Sequence, residues 1–146
     1  MNYFMELIQN KYIYVPVILW IGIQTFKVIT DLVTTKKFNF KRIMGAGGMP
    51  SSHSAVVTSI ATLMGKYQGV DSPLFALSLI FAFVVMYDAC GVRRAAGKQA
   101  KLLNKLIETP GLTGVQVSEK LVEVLGHTPI QVIVGATIGI IAGLIA

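Results

Sequence analysis

Charge and cysteine are what this chain has little of. Only 14% of its 146 residues are charged, where an ordinary soluble domain carries about a quarter. Acids are scarcest: seven stand against thirteen lysines and arginines, for a formal charge of +6. The single cysteine, Cys90, excludes an internal disulfide and any cysteine-built metal cluster. No low-complexity tract or internal repeat stands out, and nothing near Met1 reads as a cleavable signal, since a basic region and an A-x-A exit are both missing. A nucleic-acid partner is not expected, because the apolar stretches leave little room for a basic docking face.

What fills the chain instead is apolar. Hydrophobic residues make up 53% of it, and the mean hydropathy is +0.65. The length suits one domain. Four apolar segments can be drawn, at about 13–33, 50–67, 73–90 and 129–146, with a polar insert at 91–128. At the helical rise, an eighteen-residue segment such as the third or fourth covers about 27 Å, enough for a bilayer core. The expected fold is therefore all-α: an integral membrane helical bundle with four spans plus a surface amphipathic helix.

Details within the segments refine that expectation. Gln24, Lys27 and Asp31 interrupt the first at helical spacing, so they share one face, which should point into the bundle rather than at lipid. Gly135, Gly139 and Gly143 form a G-x-x-x-G stripe for close helix contact, either within the chain or as the seam of a homodimer. In the insert, Arg94, Lys98, Lys101, Lys105 and Glu108 follow a helical repeat opposed by Ala96, Ala100, Leu103 and Ile107, which predicts a helix lying along the membrane surface. Pro110-Gly111 stops it, and a second short helix is expected around 117–125. Ten basic residues fall in the two loops on one side and only Lys11 and Lys66 on the other. The positive-inside bias places the ten in the cytoplasm of a multi-pass cell-membrane protein.

Chemistry gathers on that cytoplasmic side. Gly47-Gly48-Met49-Pro50-Ser51-Ser52-His53-Ser54-Ala55 opens the second segment, Gly126-His127-Thr128-Pro129-Ile130-Gln131-Val132 opens the fourth, and Tyr87-Asp88-Ala89-Cys90-Gly91-Val92-Arg93-Arg94 closes the third. Small residues and hydroxyls at a helix start suit an anion, and an imidazole moves protons at neutral pH. Two histidines, two arginines, an aspartate and a serine-rich mouth are the inventory that phosphoryl transfer needs. The same residues also have plain structural uses. Serines cap helices, arginines snorkel at interfaces, and a histidine can simply sit at the interface.

These blocks resemble the divergent branch of the type 2 phosphatidic-acid-phosphatase superfamily, which is related to acid phosphatases and vanadium-dependent haloperoxidases. Pro50-Ser51-Ser52-His53 matches its Pro-Ser-Gly-His motif with Ser52 in the glycine's place. His127-Thr128-Pro129-Ile130-Gln131-Val132 matches its last motif with Gln131 in place of an acid. The likeness covers about residues 24 to 143. It implies a phosphatase that needs no metal and no cofactor and works through a phosphohistidine. His127 would be the nucleophile and His53 the general acid. Lys27, Arg42, Ser51, Ser52, Arg93 and Arg94 would hold phosphate, and Asp88 or Gln131 would orient the nucleophile. The implied partner is membrane lipid, as a phosphorylated lipid or a small phosphate ester. A catalytically weak relative that binds lipid phosphate or anions, or a small transporter using Lys27 and Asp31, are the competing readings.

Overall fold

The computed structural model describes residues 2–36, 47–109, 120–123 and 125–146. All regular structure among them is helical: α1 (Tyr3–Gln9), α2 (Lys11–Thr35), α3 (Ser52–Gln68), α4 (Pro73–Cys90), α5 (Val92–Glu108) and α6 (Pro129–Ile145). The four apolar segments become α2, α3, α4 and α6. Three of these helices start on a serine or threonine cap. Ser51 Oγ accepts from Ser54 N–H, Ser72 Oγ from Phe75 N–H and Thr128 Oγ1 from Gln131 N–H, satisfying amides that a first turn otherwise leaves open. The short α1 was not expected. Asn10 creates it by taking an extended backbone and accepting from Tyr12 N–H, which restarts the helix. The helix expected around 117–125 is corrected in part: residues 120–123 and 125 are irregular, and 117–119 and 124 lie outside the described residues.

The central helix is α3, packed by α2, α4 and α6. It is also the polar one. Its buried hydroxyls bond to carbonyls: Thr58 Oγ1 donates to Ser54 O at 2.8 Å and across to Ala136 O at 3.1 Å, while Ser59 Oγ donates to Val56 O at 2.8 Å. Left unpaired, each would cost about 1–3 kcal/mol. Gly135, Gly139 and Gly143 are buried against this helix. A Cβ at Gly139 would collide with Ala55 O, and one at Gly143 would stand 3.0 Å from Ser59 O. The stripe thus makes a contact within the chain.

Outward faces are apolar. Ile18 and Phe26 on α2, Phe83 and Val84 on α4, and Ile133 on α6 are all more than half exposed. A surface of that kind suits lipid rather than water. Among the described residues, two helical stretches are long and apolar enough to cross a membrane, Lys11–Thr35 and Pro73–Glu108, the latter being α4 and α5 in succession; α6 is apolar but shorter. Only 11% of the apolar window in the second stretch is buried, so it is no soluble core helix.

The helices run so that two ends form. At one, Lys66 Nζ donates to Leu144 O (2.8 Å), Tyr67 OH to Ala146 O (2.8 Å) and Gln68 Nε2 to Tyr12 OH (2.9 Å). The other end gathers the starts of α3 and α6 and the close of α4.

Candidate functional site

Three backbone contacts build that second end. Ser51 N–H donates to Gln131 O (3.1 Å), tying the mouth of α3 to α6, and His127 N–H donates to Ala89 O (2.8 Å), tying the mouth of α6 to α4. Just before His127 the chain presses on α5. Gly126 holds φ at +82°, and a Cβ there would strike the Arg94 amide. Only glycine serves at such a position.

This framework sets the two imidazoles face to edge, with ring centroids 6.0 Å apart and planes at 62°. His127 is 2% exposed and His53 is partly buried. Among the described residues, His53 Nδ1 and His127 Nε2 have no hydrogen-bond partner.

The other ring nitrogen of the nucleophile candidate is held. His127 Nδ1 lies 3.3 Å from Gln131 Oε1, and the same oxygen accepts from Thr128 N–H at 2.9 Å. A backbone N–H can only donate, so the atom it faces is the amide oxygen and not the NH2. An imidazole nitrogen facing that oxygen must itself carry a proton. Gln131 thereby makes Nδ1 the protonated nitrogen and leaves the Nε2 lone pair directed away from it. Burial lowers the His127 pKa below the ordinary histidine value, helped by the Lys27 charge and opposed by the Gln131 side chain and the Gly48 backbone. The ring is therefore neutral at neutral pH.

The remaining expected residues divide. Lys27 is 2% exposed and its charge acts on both imidazoles; Gln24, one turn earlier, is buried beside it in sequence, as the shared face required. Ser52 and His53 form the polar end of a 280 Å³ cavity between α2, α3 and α4, otherwise walled by Trp20, Val56, Val57, Phe81 and Val85. Ser51 is fully buried and acts as the cap of α3, its oxygen also accepting from Ser54 Oγ at 3.0 Å. Arg93 donates from Nε to Asp88 Oδ2 at 2.5 Å, and the charges of both act on His53. Arg94 is exposed on the next face of the helix. Arg42 lies outside the described residues. Of the two orienting candidates, Gln131 lies on the Nδ1 side of the His127 ring, while the Asp88 carboxylate bonds to Arg93.

Two contributors escaped the sequence reading. The Ala89 carbonyl, which anchors His127, carries no side-chain signal. Trp20 is an ordinary apolar residue of the first span until the fold sets it on the His53 cavity.

A model of the Divergent PAP2 family matches residues 8–142. The chain belongs to the Divergent PAP2 family. It is also 39% identical to the "Uncharacterized membrane protein YuiD" of Bacillus subtilis (strain 168), over 97% of this chain and 96% of that one. No solved structure matches it. The membership accords with the paired histidine blocks. Together with the membrane relative, the exposed apolar helices show a PAP2-related helical membrane protein. This Divergent PAP2 member brings together two imidazoles with centroids 6.0 Å apart, one of them held by Gln131, and the buried Lys27 whose charge acts on both.

Proposed function

We propose that this protein is a four-span membrane phosphatase with its polar site on the cytoplasmic side, hydrolysing a lipid phosphate or another phosphomonoester. The observation that carries the reading is the facing pair of imidazoles at 6.0 Å, with His127 Nδ1 fixed on Gln131. His127 Nε2 attacks phosphorus, the bond to the leaving oxygen breaks, and His53 gives that oxygen its proton. Water then attacks phosphorus while His53 takes a proton back, the P–N bond breaks, and phosphate leaves. Lys27 and Arg93 balance the negative charge of the transferring group. A lipid substrate suits the apolar walls of the cavity that ends at Ser52 and His53. Four spans follow if α3 and α6, each 17 residues long, cross with α2 and α4. The basic loops then face the cytoplasm.

Phosphate release from a panel of phospholipid and isoprenoid phosphates by purified protein tests this. Loss in both His53→Ala and His127→Ala supports the enzyme; release unaffected by either rejects it. One observation favours a second reading. Gln131 is neutral and activates an imidazole less than a carboxylate does. A chain that binds lipid phosphate at the histidines without turning it over would be a binder.

A further inference from the structure

Helix α5 divides into three faces at 100° per residue. The first is turned to the protein. Gly97, Ala100 and Asn104 are buried there, and Asn104 Nδ2 donates to Leu121 O while Leu121 N–H donates to Asn104 Oδ1, both at 2.9 Å. A Cβ on Gly97 would stand 2.7 Å from Glu123 O and 2.9 Å from Leu125 O, so the irregular chain at 123 and 125 lies directly on that face. The second face is basic: with Val92 at 0°, Arg94, Lys98, Lys101 and Lys105 project between about 180° and 240° on the wheel and are all exposed. The third is apolar except for Gln99 and also exposed, with Val92 61%, Leu102 64%, Leu103 48% and Leu106 48% accessible.

A helix touching only water and its own protein has no use for the third face. One lying in a bilayer interface uses all three: the leucines enter the acyl boundary, and the ammonium groups stay at headgroup level beside them. Its position supports this, because α5 starts at Gly91, immediately after the apolar α4 ends. We propose that α5 docks on an anionic lipid leaflet. Its occupant is lipid and not a protein, because four exposed cations in a row beside an apolar strip complement phosphodiester headgroups. Arg93, on the first turn of the same helix, bonds to Asp88, and the charges of both act on His53, so docking also steadies charges that the His53 imidazole feels. The inference rests on α4 crossing the membrane and does not depend on hydrolysis.

Full-length protein carrying Cys90→Ser and one new cysteine, Leu102→Cys or Lys101→Cys, can be labelled with an environment-sensitive fluorophore. The probe is vesicles of phosphatidylcholine, with or without phosphatidylglycerol, containing acyl-brominated lipid. Quenching at 102 should exceed that at 101 and rise about twofold or more with phosphatidylglycerol. The rise should vanish in high salt and in the triple variant Lys98→Gln, Lys101→Gln, Lys105→Gln, whose sites are exposed and whose melting should be unchanged. Equal, weak quenching at 101 and 102 in both vesicles would overturn the proposal. So would a label at 102 that crosslinks to a second copy or another protein and is shielded from lipid.

Discussion

His127 and Gln131 form a pair in which the glutamine oxygen is already committed to the Thr128 amide and so can only accept from the ring, at 3.3 Å from Nδ1. Geometry that a carboxylate would supply is kept, and the charge is not. In the proposed mechanism the consequence is a correctly oriented but less basic nucleophile.

Gln131→Glu should therefore raise turnover, by about tenfold if the hydrolase analogy holds. A carboxylate stabilises the charged ring, so the acidic limb of the pH–rate profile should also move to higher pH. Gln131→Leu should lose about 10–100-fold by freeing the ring, the usual cost of losing such a partner. Profiles of the three forms check both signs.

In the unaltered protein, burial and Lys27 depress the His127 pKa. Its nucleophilic form should persist below the ordinary histidine range, putting the acidic limb of kcat/KM under about 6.5. Lys27→Met removes one depressing charge and should move that limb upward while weakening phosphate binding.

Asp88→Asn should behave unlike Gln131→Leu. Asp88 touches Arg93, and the pair is well exposed at 44% and 37%, so stability should fall by less than about 1 kcal/mol. KM should rise as Arg93 loosens, with the pH profile keeping its acidic limb. Abolished turnover with normal binding would instead make Asp88 the partner of His127.

Packing gives a test without substrate. Gly139→Ala drives a methyl into Ala55 O and Thr58 Oγ1 and should cost at least about 1–3 kcal/mol. Gly22→Ala meets nothing within 4 Å and should be neutral or stabilising by up to about 1 kcal/mol. Thermal melts in detergent compare the two.

Much of this was legible in the sequence. Pro73 and Gly91 bracket α4, and Pro129 begins α6, because proline at a first turn and glycine past a last one are local signals. The buried side of Lys27 followed from its spacing with Gln24, since charge within a span has to face the bundle. Long-range choices were not legible. The inward side of α5 is Gly97, Ala100 and Asn104, not the side bearing Leu103, because the chain packed on it is held by hydrogen bonds rather than by apolar burial. Which of Arg93 and Arg94 reaches the site depends on the turn at Gly91, and neighbours in sequence cannot show that. That the Asp88 carboxylate meets Arg93 is likewise a contact made by the fold, five residues along the chain and across the turn at Gly91.

The proposed mechanism puts the phosphoryl group on His127 between its two steps. An aryl phosphate with a good leaving group makes the general acid dispensable for the first step, while water still needs His53 for the second. Phosphorus-labelled substrate added to the His53→Ala protein should leave an acid-labile, base-stable phosphate on His127, found by peptide mapping. A protein that releases phosphate yet never carries it on His127, or releases it equally well as His127→Ala, would contradict the account.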